Sequence, residues 1–186
     1  MHRDLLSRAY DRSAGTYDEQ FRAQQREKYR AAARLLEVDS PPAGTILDAG
    51  GGTGLFSEWL ADGGEPSAAV RERLGARRLV VLDASLGMLR RAAARAGLRV
   101  AGDLEHPPFG PRFALVVAFT SLLGDAAAGM RALAGVLAPG GLFAFTVLAA
   151  EAEATDVDRL ARETGLRRLA GGVPAGQDRA FLLQRG

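Results

Sequence analysis

The chain has 186 residues, 47% hydrophobic and 25% charged, the length and make-up of one globular domain able to bury a sizeable core. It has no cysteine and only two histidines, His2 and His106. That excludes disulfides, thiol nucleophiles and Cys-ligated metals, and leaves too little for a histidine-built zinc site, while a formal charge of +2 by itself names no partner.

The N-terminal stretch "MHRDLLSRAYDRSAGTYDE" is charged from the start and has no apolar secretory core, so a cytoplasmic location is expected. Residues 4–10 read as a short helix. Over residues 17–36, Tyr17, Phe21, Lys28 (through its aliphatic stem), Ala31, Ala32 and Leu35 recur at helical spacing, which predicts one long amphipathic helix. "DSPPAG" then breaks it. Strand and helix patterns alternate from there: a strand at 45–49, a glycine loop at 50–54, a helix at 55–61 and an inserted turn with a short helix within 62–77. A strand at 78–83, a helix at 86–96 and a strand at 98–101 follow. Residues 113–120 form a continuous apolar run, the pattern of a strand buried on both faces. A helix at 125–137, a strand at 142–148, a helix at 153–164 and strands near 166–169 and 179–184 complete the chain.

Residues 132–150 carry no charge and approach membrane-spanning length, but Pro139-Gly140-Gly141 interrupts them. A helix end, a turn and a buried strand are expected instead, with no membrane partner. The alternation predicts an α/β, doubly wound, mostly parallel sheet with helices on both faces. No internal repeat or low-complexity linker divides the chain, so residues 1–186 are expected to form a single domain.

Eight arginines lie between Arg71 and Arg99 against only Glu72 and Asp83. This is either a solvated helix surface or a docking face for phosphates or RNA. Lysine occurs once and asparagine never, a composition compatible with a thermophilic source or with genome bias.

"ILDAGGGTGLF" carries the most information. A strand ending at Asp48 and Ala49 runs into glycines 50, 51, 52 and 54, which let the backbone turn sharply and approach a ligand before a helix N-terminus. A dinucleotide fingerprint requires a third glycine where Leu55 stands, and no Gly-Lys-Ser/Thr follows for a P-loop. The next strand ends at Asp83, an acid placed to accept hydrogen bonds from ribose hydroxyls or, alternatively, to cap the next helix through Ala84 and Ser85.

The spacing Asp-x-Gly-x-Gly-x-Gly resembles the first motif of class I S-adenosylmethionine-dependent methyltransferases. "GDLEHPPF" is similar to that family's Gly-Asp-x-Glu-x-Leu-Pro-Phe segment, and "LAPGGLFAFT" to its Leu-x-Pro-Gly-Gly turn. "AYDRSAGTYDE" resembles the Tyr-Asp-x-x-Ala-x-x-Tyr-Asp signature of the ubiquinone/menaquinone-biosynthesis-like group. Ala114 departs from the aspartate that relatives usually carry at the start of the fourth strand.

The resemblance implies a seven-stranded sheet with the last strand antiparallel, a helical lid at 1–40 and a Rossmann-like core at 41–186. It implies S-adenosylmethionine as cofactor and S-adenosylhomocysteine as product. Cofactor contacts are expected from Tyr10 and Tyr17 in the lid and from Asp48, Ala49, Gly50, Gly51, Gly52 and Gly54 around the glycine loop. Asp83, Ala84, Ser85 and Met88 would follow on the ribose side, and Gly102, Asp103 and Leu104 on the adenine side, with Asp103 binding the adenine amino group. Phe119 and Thr120, with Ser121, are expected at the methyl-transfer site.

No catalytic residue is assigned, and no metal is expected. Asp125 is either a first-turn helix acid or an acceptor-binding group. "HPPF" at 106–109 looks like the Asn/Asp-Pro-Pro-Tyr/Phe site of nitrogen methyltransferases, but that site follows the fourth strand and this one precedes it. His106 is therefore expected to be a solvated loop residue. A small-molecule acceptor is the expected substrate. The alternatives are an RNA or protein acceptor met with a small activating partner, a non-catalytic cofactor-binding module, or a dehydrogenase with a degenerate loop.

Overall fold

The computed structural model describes residues 2–62, 67–122, 126–152 and 155–186, with side chains described from Ser7 onward. Seven strands among these residues form one sheet: β1 (Thr45–Ala49), β2 (Leu79–Asp83), β3 (Leu98–Ala101), β4 (Phe113–Phe119), β5 (Leu137–Leu148), β6 (Leu166–Ala175) and β7 (Asp178–Arg185). Their order is β3-β2-β1-β4-β5-β7-β6, and β7 runs antiparallel to both its neighbours while the pairs from β3 to β5 are parallel. The expected doubly wound sheet with an antiparallel last strand is therefore present.

β4 shows why the middle of the sheet forms. All seven of its residues are buried. Leu115, Val117 and Phe119 join the cluster beneath helices α2 (Tyr17–Val38), α3 (Leu55–Ala61) and α4 (Ala68–Leu74). Val116 and Ala118 point the other way, into the cluster with α6 (Ala126–Val136) and α8 (Val157–Glu163). Each large apolar side chain so buried contributes about 1.5–3 kcal/mol relative to exposure. Helix α5 (Leu86–Ala92) packs Leu89 against Val81 of β2.

The long helix α2 does two jobs along its length. Tyr29, Ala31, Ala32, Leu35 and Leu36 are core residues, whereas Tyr17, Phe21, Gln24 and Gln25 face a cavity. Its companion α1 (His2–Ser13) is tied to α5: Asp11 Oδ1 accepts from Ser85 Oγ at 2.6 Å and from the Gly87 N–H at 2.7 Å.

Four boundaries differ from expectation by about four residues or more. α5 stops at Ala92, and residues 93–95 turn before Gly97. β5 begins at Leu137 because Pro139-Gly140-Gly141 is absorbed as an irregularity in its pairing with β4. β6 runs on to Ala175 because the register shifts on either side of Gly171 absorb the glycines as bulges, which one-dimensional reading takes for an end. α8 begins at Val157, after a separate short helix α7 (Ala149–Ala152); Glu153, where the helix was expected to start, lies outside the described residues.

Candidate functional site

The carboxyl ends of β1, β2 and β4 open into one cavity of about 630 Å³. This is the crevice where open α/β sheets take ligands. The glycine loop forms its floor through Gly50 and Gly52, and Asp83, Ala84, Ser85 and Met88 form one side. Asp103, Leu104 and Glu105 lie next to them, and Phe119, Thr120, Ser121 and Leu122 close the β4 side. Helices α1 and α2 cover it with Ser7, Tyr10, Tyr17, Phe21, Gln24, Gln25 and Lys28.

Asp48, at the end of β1, is buried behind the loop and faces a small adjoining space with Gly51, Thr53 and Tyr29. Burial and the neighbouring charge of Asp83 push its carboxyl up to about 8, and Oδ2 has no hydrogen-bond partner among the described residues. The approach is so close that a Cβ on Gly51 would stand 2.5 Å from that oxygen, so the glycine is required. Gly52 adopts φ +54, and a Cβ there would meet nothing within 4 Å. Its side faces open space.

Asp83 holds the loop in place. Its Oδ2 accepts from the Gly52 N–H at 2.9 Å and Oδ1 from the Ser85 N–H at 2.8 Å. Burial raises its carboxyl above the usual range, more than these hydrogen bonds lower it. A carboxylate offers about four lone-pair sites, so capacity for further donors remains. The helix cap is Ser85 itself, whose Oγ accepts from the Met88 N–H at 3.1 Å.

Asp48 and Gly51 border only the small adjoining space, and three further expected residues line neither. Ala49 is fully buried, and its carbonyl accepts from Ser121 Oγ at 2.7 Å, tying the ends of β1 and β4 together. Gly54, at φ +79, caps α3 where that helix meets Ala92 of α5. Gly102 packs against Leu82 and Pro108.

Asp103 Oδ1 accepts from the Glu105 N–H at 3.0 Å, and its other oxygen lies 3.2 Å from His106 Nδ1. The His106 side chain is 80% exposed and lines no part of the cavity, while Phe109 packs edge-on against Phe113. The structure thus places "HPPF" in a loop outside the cavity. Asp125 lies outside the described residues.

Several side chains around the site were not anticipated from sequence. Asp18 accepts from Thr53 Oγ1 at 2.5 Å and pairs with Arg95 at 2.7 Å, while Arg95 also meets Glu58 and the Thr53 carbonyl. At the other end, Asp178 of β7 lies 3.5 Å from the buried ammonium of Lys28. Residue type at these positions gives no local signal, apart from Lys28 being the single lysine. Among the Arg71–Arg99 arginines, Arg73 and Arg77 donate to backbone carbonyls of Leu36, Pro41 and Pro42, and Arg95 belongs to the Asp18 network. Among the described residues no group of His, Asp or Glu is placed to hold a metal, and no helix is long and apolar enough to cross a membrane.

Comparison with known proteins agrees with this geometry. Residues 46–141 match a family described as a methyltransferase domain. The chain is 33% identical over 157 residues to malonyl-[acyl-carrier protein] O-methyltransferase of Serratia marcescens, covering 81% of this chain and 55% of that protein. It thus spans about half the length of the curated relatives it matches. Among solved structures, the Haloferax volcanii complex of the Trm112 methyltransferase activator with a putative methyltransferase superposes with a TM-score of 0.69 at 16% identity, over 94% of this chain and 96% of that one. N-methyltransferase NodS of Bradyrhizobium japonicum, solved with S-adenosylhomocysteine, gives 0.62 at 18% identity over 87% of each chain. The matched domain, the curated relative and the shared sheet place this chain among the class I S-adenosylmethionine-dependent methyltransferases.

Proposed function

We propose that this chain binds S-adenosylmethionine along the glycine loop and transfers its methyl group to an oxygen of a small acceptor held beside Phe119, Thr120 and Ser121. One observation carries the reading: a single cavity joins the loop and Asp83 to the end of β4 and to the polar face of α2. The residues suit the cofactor chemically. Asp48 Oδ2, without a partner behind the loop, matches an ammonium group, and the open side of Gly52 leaves room for a ligand backbone. Asp83 has acceptor capacity for ribose hydroxyls, and Asp103 for an adenine amino group. Tyr10 and Tyr17, edge to face at 6.3 Å, would cover the cofactor as part of a lid at residues 1–40 on a core at 41–186.

The bound cofactor supplies a methyl group on a positive sulfonium for in-line displacement. The chain contributes position and dryness: Phe119 packs against Tyr29 and Phe56 and blocks the sheet side, while α2 closes the cavity from above. The oxygen acceptor is inferred from the name of the Serratia relative. Arg73, Arg77 and Arg95 of the arginine cluster are engaged by other groups of the fold, which favours a small acceptor over RNA. A macromolecular acceptor with an activating partner is the second reading, carried by the Trm112-bound neighbour. A cytoplasmic location accompanies either reading, and a thermophilic source fits the composition.

Titration calorimetry of the chain with S-adenosylmethionine, S-adenosylhomocysteine and NAD tests the cofactor. Binding of the first two without NAD is expected, and binding of NAD alone refutes it. Steep salt-dependent RNA binding would move the acceptor to the second reading.

A further inference from the structure

Lys28 sits on α2 where the helix passes from cavity wall to core. Its side chain is only 2% exposed, yet it lines the cavity. Nζ donates to Thr120 Oγ1 and lies 3.5 Å from Asp178 Oδ2, and the Thr120 hydroxyl donates to that same carboxylate oxygen at 2.5 Å. Thr120 itself is held at φ +52, a left-handed conformation unfavourable for a β-branched residue, with its N–H bonded to Thr146 Oγ1 at 3.0 Å. Residues from α2, β4, β5 and β7 thus converge on one strained point.

Packing gives no reason for such a cluster. A buried ion pair is commonly replaceable by apolar residues at no loss of stability. Here it is also incompletely satisfied, since Asp178 Oδ1 is buried with no partner among the described residues. An ammonium carries three donors, and the two contacts above occupy two of them.

The cavity's charges are segregated. Asp83, Asp103 and Glu105 line the β2–β3 end, and Lys28 is the one cationic side chain lining it among the described residues. Asp178 stands behind Lys28 and Thr120 and does not line the cavity, so a ligand meets the ammonium end of the pair.

We propose that Lys28, held by Asp178 and Thr120, is a specificity-determining residue of the acceptor site, selecting an acceptor whose attacking group is a carboxylate. The inference rests on the methyltransferase reading above. An acceptor beside Thr120 lies between this ammonium and the positive sulfonium. A protonated amine is repelled from both sides there, whereas a carboxylate is attracted from both. The reaction then balances without a base: a carboxylate lone pair forms the O–CH3 bond, the C–S electron pair leaves with sulfur, and the products are a methyl ester and a neutral thioether. No proton moves, in keeping with the absence of an assigned catalytic base.

The test uses the full chain saturated with S-adenosylhomocysteine, titrated with malonyl N-acetylcysteamine thioester and with the methyl ester of that compound. The acid is expected to bind at least about tenfold tighter than the ester, the effect of one well-placed charged contact. Lys28→Met alone leaves Asp178 as an unpaired buried charge and risks the fold, so the decisive variant is Lys28→Met with Asp178→Asn. In that variant the acid-over-ester preference should shrink to about twofold or less while S-adenosylhomocysteine affinity stays near wild type. Lys28→Arg should keep a preference for the acid. Equal binding of acid and ester by the wild type, no binding of the acid, or an undiminished preference in the double variant overturns the proposal. Wild-type failure to bind S-adenosylhomocysteine would instead overturn the cofactor reading.

Discussion

The two halves of the sheet's carboxyl edge are built differently. At β1 and β2, Asp83 is satisfied by main-chain N–H groups of Gly52 and Ser85, and the partners lie in consecutive loops of one βαβ unit. At β4, β5 and β7 the contacts run mostly from side chain to side chain, between Lys28, Thr120, Thr146 and Asp178, which come from distant parts of the chain, with one main-chain donor in the Thr120 N–H to Thr146 Oγ1 bond. A ligand component common to many proteins can be met by backbone geometry, which a short motif encodes. A variable component is met by side chains that the fold assembles.

This contrast can be broken most decisively on the first half. Asp83→Ala removes the group that anchors the loop and, on the reading above, two hydrogen bonds from ribose. With charge-assisted hydrogen bonds at about 1.5–3 kcal/mol each, S-adenosylhomocysteine affinity should fall about a hundredfold or more. Gly52→Val, which fills the open side of the loop at a positive φ, should match it. Calorimetry on folded variants with wild-type affinity would show that the backbone half is not the cofactor site.

A pH series sharpens the picture around Asp48. Burial and the charge of Asp83 push the Asp48 carboxyl up to about 8 from the ordinary 3.8, so between those values the folded chain holds a proton that the unfolded chain has released. Its contribution to stability therefore declines as pH rises from about 4 to about 8 and is constant above. Denaturation midpoints of wild type and Asp48→Asn should diverge over that window. If Asp48 receives the cofactor's ammonium, S-adenosylhomocysteine binding should instead tighten from pH 6 to 8, by up to about tenfold per unit, and Asp48→Asn should flatten the profile. A wild-type profile already flat would remove Asp48 from the site.

Smaller effects belong to the start of α2 and to the His106 loop. Arg95→Ala removes the guanidinium shared by Asp18, Glu58 and the Thr53 carbonyl but leaves the Arg22–Glu58 and Thr53–Asp18 contacts of α2 in place, so a loss of about 1 kcal/mol in stability, smaller at high salt, is expected in urea titrations. His106→Ala should change stability by less than about 0.5 kcal/mol and cofactor affinity hardly at all, because the ring is solvated. A large loss of binding in His106→Ala would restore "HPPF" to the site.

The strand and helix types, the glycine turn, the strand-end position of Asp83 and the place of "HPPF" before β4 were legible in the sequence because each is marked by a local pattern. Apolar periodicity, glycine spacing and strand-end acids all report such local constraints. The extent of β6 escaped, since bulges carry its ladder through Gly171 and only the partner strand shows that. Lys28 counted in the periodic pattern only for its aliphatic stem, and Asp178 reads as an ordinary turn residue in "GQDR". Tertiary structure decided both: folding takes an ammonium and a carboxylate 150 residues apart in the chain out of water together. A charge is stable there only beside its partner, and no local pattern records a partner so distant.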